Sequence, residues 1–297
     1  MVTLMANEIW ARESSDWGRR MSKQRDEASN TAAAQEVEAM RRLLERTIEG
    51  EIIPRLMLVH SVLSRDLEAS EGEHAPSRED VEELSRLLLR DEGSLARDFM
   101  DTLQHDGASL ESIYLDVLTP AAKHLGELWV DDRCTWTEVS VGLSRLHTLL
   151  RSTSDAFHQA AERPAIPRGR VLLTLAPKEQ HVFGLCLVDE FFRRRGWDVS
   201  LLLTPGRVEL CKMLHEDYWD ILGFSLSVDS QVEALHQIIE AARDASRNPE
   251  LVIMVGGRTF QDHPEYVALA GADMTAKDAP EAVEMAEQVR DRPGHSG

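Results

Sequence analysis

The stretch LAPKEQHVFG, Leu175 to Gly184, sets one imidazole, His181, between a short apolar run and the start of a helical pattern. A neutral imidazole is a good ligand for a borderline transition metal, and a hydrogen bond to its second nitrogen sets tautomer and ring orientation. Glu179 is placed for that orienting bond, with Gln180 between the two. Gly184, lacking a Cβ, lets a helix start sit close to a buried ligand. Two further groups accompany them, Ser225-Leu226-Ser227 and Gly256-Gly257. Ser225 offers a hydroxyl to a heterocycle nitrogen, and the glycines strip side chains from a facing wall. Each feature also fits an ordinary role as a helix-start residue, a serine cap or a turn glycine. A phosphate-cradling loop is excluded, because the first turn has neither GxGxxG nor GxxxxGK[ST].

These residues need a scaffold, and the pattern around them supplies one. Strands are predicted at Arg170–Leu175, 198–203, Ile221–Ser225, 251–255 and 272–274. Helices fill the gaps at 181–195, 206–216, 229–245, 262–270 and 279–290. Runs such as VLLTL and LVIMV are apolar on both faces, as a parallel sheet covered by helices requires. Five such units give a flavodoxin-like, Rossmann-type α/β domain over 170–292, with its ligand site at the carboxyl ends of the strands. Every candidate above falls at those ends.

Before it, residues 77–161 carry a helical period with no strand pattern. Ser77 is an N-cap followed by the stripe Val81, Leu84, Leu87 and Leu88, and further helices are expected at 94–104, 109–129 (with Pro120 inside) and 137–158. Four short helices read as a bundle, and 162–169, with two prolines and a glycine, as the linker. Residues 1–34 read as a weakly ordered arm bearing Trp10 and Trp17, and 35–70 as an amphipathic helix broken near Pro54.

Composition narrows the function. Of 297 residues, 33 are Lys or Arg and 52 Asp or Glu, a formal net charge of −19. So acidic a chain repels nucleic-acid phosphates unless a local basic patch outweighs the field. The densest basic run, Arg193-Arg194-Arg195, falls at an expected helix C-terminus, where cations complement the macrodipole. The three cysteines, Cys134, Cys186 and Cys211, show no zinc-ligand spacing. No apolar run approaches the ~20 residues that cross a bilayer, and no secretory signal is visible, so a cytoplasmic, membrane-free protein is expected.

In their order on this scaffold, the loop motifs resemble the cobalamin-binding domain family. Its Asp-x-His-x-x-Gly, Ser-x-Leu and Gly-Gly hallmarks correspond to Glu179-Gln180-His181-Val182-Phe183-Gly184, Ser225-Leu226-Ser227 and Gly256-Gly257. The resemblance implies that His181 is the lower axial ligand of cobalt, displacing the nucleotide base, whose tail then needs a deep slot between sheet and helices. Glu179 replaces the usual Asp and Ser227 the usual Leu. The preceding segment DVLTPAAKHLGELWVDDRCTWTE resembles the helical cap of methionine synthase and of light-sensing regulators. There Trp129 would cover the upper corrin face; otherwise it belongs to the bundle core. Where photoreceptors of the CarH type carry a Glu-His pair, this chain has Val139 and Ser140, with His147 two turns further along.

A cobalamin module with its cap and neither a substrate barrel nor a helix-turn-helix looks like the AerR/PpaA family of antirepressors. That resemblance implies a non-enzymatic light- or redox-responsive regulator acting through a CrtJ/PpsR-type repressor of photosynthesis genes, with no direct nucleic-acid contact. The cofactor would be adenosylcobalamin or hydroxocobalamin. A corrinoid protein of a methyltransferase system, or a haem-binding sensor with His181 on iron, are the alternatives.

Overall fold

The computed structural model describes residues 76–290, apart from 91–92, 162–163, 165–166 and 204–205. The expected arm and amphipathic helix therefore lie outside the described residues, as does part of the linker.

Helix α1 (Arg78–Leu89) starts at a reciprocal cap: Ser77 Oγ accepts the Asp80 amide while the Asp80 carboxylate accepts the Ser77 amide. Its predicted stripe, Val81, Leu84, Leu87 and Leu88, is buried. Helix α2 spans Gly93–His105, and α3 (Leu110–Ser112) is capped by Ser109. The sequence pattern predicts one uniform helix here, but α3 runs into a π-helical stretch, Ile113–Leu118, before α4 (Thr119–Val130). Pro120 accounts for the irregularity, because it has no N–H for the regular ladder. The Thr119 amide bonds instead to the Tyr114 carbonyl, five residues back, and the Thr119 hydroxyl donates to the same oxygen at 2.8 Å. Helix α5 (Trp136–Gln159) opens with a second reciprocal cap, between Thr135 and Glu138.

The second layer alternates strand and helix: β1 (Arg170–Leu175), α6 (Phe183–Arg194), β2 (Asp198–Leu202), α7 (Arg207–Glu216) and β3 (Ile221–Ser225). It continues with α8 (Val232–Ala245), β4 (Val252–Gly256), α9 (Arg258–Asp262), α10 (Tyr266–Ala270), β5 (Met274–Ala276) and α11 (Ala279–Arg290). All pairings are parallel, in the order β2-β1-β3-β4-β5, the flavodoxin-like arrangement. Two expectations need correction. Strand β5 sits two residues later than predicted, and the single helix expected over 262–270 takes in only the last residue of α9 and the whole of α10. They part at His263-Pro264, since Pro264 cannot donate to a continuing ladder and disfavours helical backbone before it.

The register aligns Leu175 with Ser225, Ser225 with Gly256, and Gly256 with Ala276. One row of residues thus closes the carboxyl ends of four strands. Strand order reverses between β1 and β3, which opens a crevice at that row. One sheet face, α6 and α11 share a continuous apolar core with the bundle, so α5 packs directly on α6; α7 and α8 cover the other face.

Candidate functional site

A cavity of about 680 Å³ lies above this crevice, between the strand ends and the bundle. The β1 loop reaches it through a turn in which Lys178 takes a left-handed φ of 64° and the Glu179 amide bonds to Ala176 O. The turn points the Glu179 side chain inward, where it is 1% exposed. Its Oε1 accepts the Gln180 amide (2.7 Å), the His181 amide (2.9 Å) and His181 Nδ1 (2.6 Å). Its Oε2 accepts the Ser227 amide from the β3 loop at 2.6 Å. One carboxylate therefore ties two strand-end loops together and fixes the imidazole.

Burial alone would raise the Glu179 pKa. The ring hydrogen bond and charge of His181, with the His181 and Ser227 amides, outweigh it and hold the carboxyl at about 2. An ionised Glu179 accepts from Nδ1–H, so in the neutral form of the ring the free lone pair is the one on Nε2. Nε2 has no hydrogen-bond partner among the described residues, and the ring lines the cavity.

Of the other predicted residues, Gln180, Gly184, Ser225, Ser227, Gly256 and Gly257 all line this cavity. A Cβ on Gly184 would meet nothing within 4 Å, so the glycine leaves open space. Gly257 is different: its φ of 99° and the Leu226 carbonyl oxygen exclude any side chain. The main action of Ser227 is its backbone N–H, a role its residue type does not announce. Trp129, half-buried on α4, is not among the residues that line the cavity.

The upper wall is formed instead by Thr119, Ala122, Lys123 and Gly126 of α4, and by Val139, Ser140, Leu143, Ser144 and His147 of α5. Most of these are missed by sequence reasoning. The available signal is small residues one turn apart, Ala122 with Gly126 and Ser140 with Ser144, inside otherwise apolar helical stripes. His147 packs edge-on against Phe183, ring centroids 5.2 Å apart, and burial beside Arg151 lowers its pKa. Deeper, the cavity passes between the sheet (Leu173, Gly223, Met254) and the two helices α6 (Leu187) and α11 (Ala279, Ala282), an apolar slot suited to a long tail.

Among the described residues there is no group of three or more side chains able to hold a bare metal ion. A single oriented imidazole would suit a metal that is already held by a larger chelating group. The oriented imidazole, the open space at Gly184 and the slot fit such a group.

A flavodoxin-like sheet, a helical cap over its switch point and one fixed imidazole facing a cavity with an apolar slot describe a module able to hold a large ligand at its strand ends. Residues 169–285 match the family model described as B12 binding domain. A 20.5 kDa Rhodobacter capsulatus protein from the bchF-crtJ intergenic region is 25% identical over 170 residues, 57% of this chain and 87% of its own. The monomethylamine corrinoid protein of Methanosarcina barkeri shares the fold, with a TM-score of 0.60 and 14% identity over 72% of this chain and 100% of that one.

Proposed function

We propose that this protein is a cobalamin-binding regulator that acts through a partner protein, a transcriptional repressor of the CrtJ/PpsR type, in response to light or redox state. The observation that carries the cofactor half is the Glu179–His181 pair at the cavity floor, with Nε2 left for cobalt. When bound, a corrinoid would supply a metal that His181 would hold and that could exchange a further ligand. The chain's own residues orient that imidazole, accommodate the tail and roof the exchangeable side with α4 and α5.

Two observations support the regulatory half. The Rhodobacter capsulatus relative is a product of the bchF-crtJ region. The arginine run also favours a protein partner over DNA, because Arg193 pairs with Asp189, Arg194 with Glu111 and Arg195 with Glu287. Each charge in that run is thereby offset locally, and the overall field remains acidic.

The test is reconstitution with adenosylcobalamin and with hydroxocobalamin in the dark, followed by illumination and a pull-down with the repressor. The expected outcome is a spectrum with the nucleotide base displaced, lost in His181→Ala, and repressor binding that changes on illumination. A haem spectrum, or methyl transfer to a partner enzyme without any effect on repressor binding, would overturn it.

A further inference from the structure

The cap is joined to the α/β domain by a buried polar cluster that the site itself does not use. Glu190 of α6 has a side chain only 9% exposed, and its carboxylate accepts the Ser154 hydroxyl of α5 at 3.0 and 2.8 Å. His158, one turn further along α5 and 8% exposed, brings Nε2 to 2.8 Å from the same carboxylate. That contact is at ion-pair distance but off the line that a hydrogen bond requires. Aromatic groups close the cluster in: Phe157 meets Phe191 at 5.1 Å between centroids, and the Arg194 guanidinium lies 4.3 Å over Phe157.

A buried carboxylate is costly unless partnered, and its partners here come from the other layer, so it selects one register of α5 on α6. Both helices lead to the site. Helix α6 begins two residues after His181, and α5 carries Ser140, Ser144 and His147 into the upper wall of the cavity. From Ser144 to Ser154 is roughly 15 Å along a rigid helix, at 1.5 Å per residue, so a small tilt at the cluster displaces the roof.

We infer that Ser154, His158 and Glu190 form the pivot that seats the cap over the exchangeable face of the corrinoid, with Glu190 acting as a positioning residue. The inference rests on the corrinoid reading above. It is tested by loading the full chain with hydroxocobalamin and following the absorbance change as one equivalent of cyanide replaces the upper ligand. Glu190→Gln and Ser154→Ala are expected to keep the His181-bound spectrum while cyanide reaches the metal several-fold faster than in wild type, because the roof opens more often. Asp273→Ala, which removes an acceptor of the Ile253 amide on the far side of the fold, destabilises without touching the pivot and is expected to leave the exchange rate unchanged. Ser154→Ala keeps the buried Glu190–His158 contact, so it serves where Glu190→Gln fails to fold. Exchange at the wild-type rate in variants with the wild-type spectrum would overturn the inference, as would equal acceleration in Asp273→Ala. Failure of wild type to take up any corrinoid would sink the cofactor reading first, and this inference with it.

Discussion

Nδ1 of His181 lies 2.6 Å from Oε1 of Glu179, and the other oxygen of that carboxylate holds the Ser227 amide, 48 residues away in sequence. The group that orients the imidazole is therefore also the one that joins the β1 and β3 loops. Orientation of the ligand and closure of the crevice are a single structural event.

Glu179→Gln separates these roles from charge. The amide keeps one acceptor oxygen, so either the ring or the Ser227 amide loses its partner. Stripping a buried donor costs about 1–3 kcal/mol, and loss of a ligand-orienting group costs metal affinity by about 10–100-fold. Urea unfolding and corrinoid titration measure the two effects, and an unchanged affinity would remove Glu179 from the site.

The pH dependence follows from the same carboxylate. Its pKa is depressed from 4.5 to about 2 in the folded protein, so its contribution to stability is fully present above the ordinary value and drains away as pH falls toward 2. The contribution is roughly 3 kcal/mol at most. Urea midpoints taken between about pH 5 and pH 2 are expected to fall less steeply for Glu179→Gln than for wild type. Parallel curves would contradict the assignment.

Two site glycines have opposite expected responses. At Gly184, on the helix start with open space beyond it, Ala is expected to stabilise the ligand-free protein by about 0.5 kcal/mol, whereas Leu blocks corrinoid uptake. At Gly257, Ala meets the Leu226 carbonyl in a left-handed backbone and is expected to cost more than about 2 kcal/mol. Thermal melts in the absence of ligand distinguish the two.

Trp129 and Ser140 test the roof. Because Trp129 lies outside the cavity lining, Trp129→Phe is expected to leave corrinoid affinity and spectrum unchanged. Ser140→Phe fills the upper wall and is expected to weaken binding or exclude the bulkier adenosyl form. Equilibrium titrations with hydroxo- and adenosylcobalamin provide the comparison, and a loss confined to Trp129→Phe would reverse this description of the roof.

Strands β1 and β3 coincide with their apolar runs because a central strand of a parallel sheet is buried on both faces, which leaves an uninterrupted local signature. Ser77 and the stripe that follows it are equally legible, since a cap and a 3.6-residue period are written in neighbouring residues. His181, Glu179 and Gly184 fall within one short loop, so their spacing is visible in the chain. The π-helical stretch before Pro120 and the break at His263-Pro264 are less so: proline marks the trouble, but packing chooses how the backbone resolves it.

By itself, then, the amino-acid order determined the alternation of elements, the flavodoxin-like sheet and the loop that carries the imidazole, all consequences of local periodicity and turn chemistry. Tertiary structure alone decided that Ser227 contributes its backbone rather than its hydroxyl, that α4 and α5 roof the cavity without Trp129, and that Glu190 meets Ser154 and His158 across two layers. Those outcomes depend on where distant helices come to rest, and that is set by the shape of a shared core, which no short stretch of sequence contains.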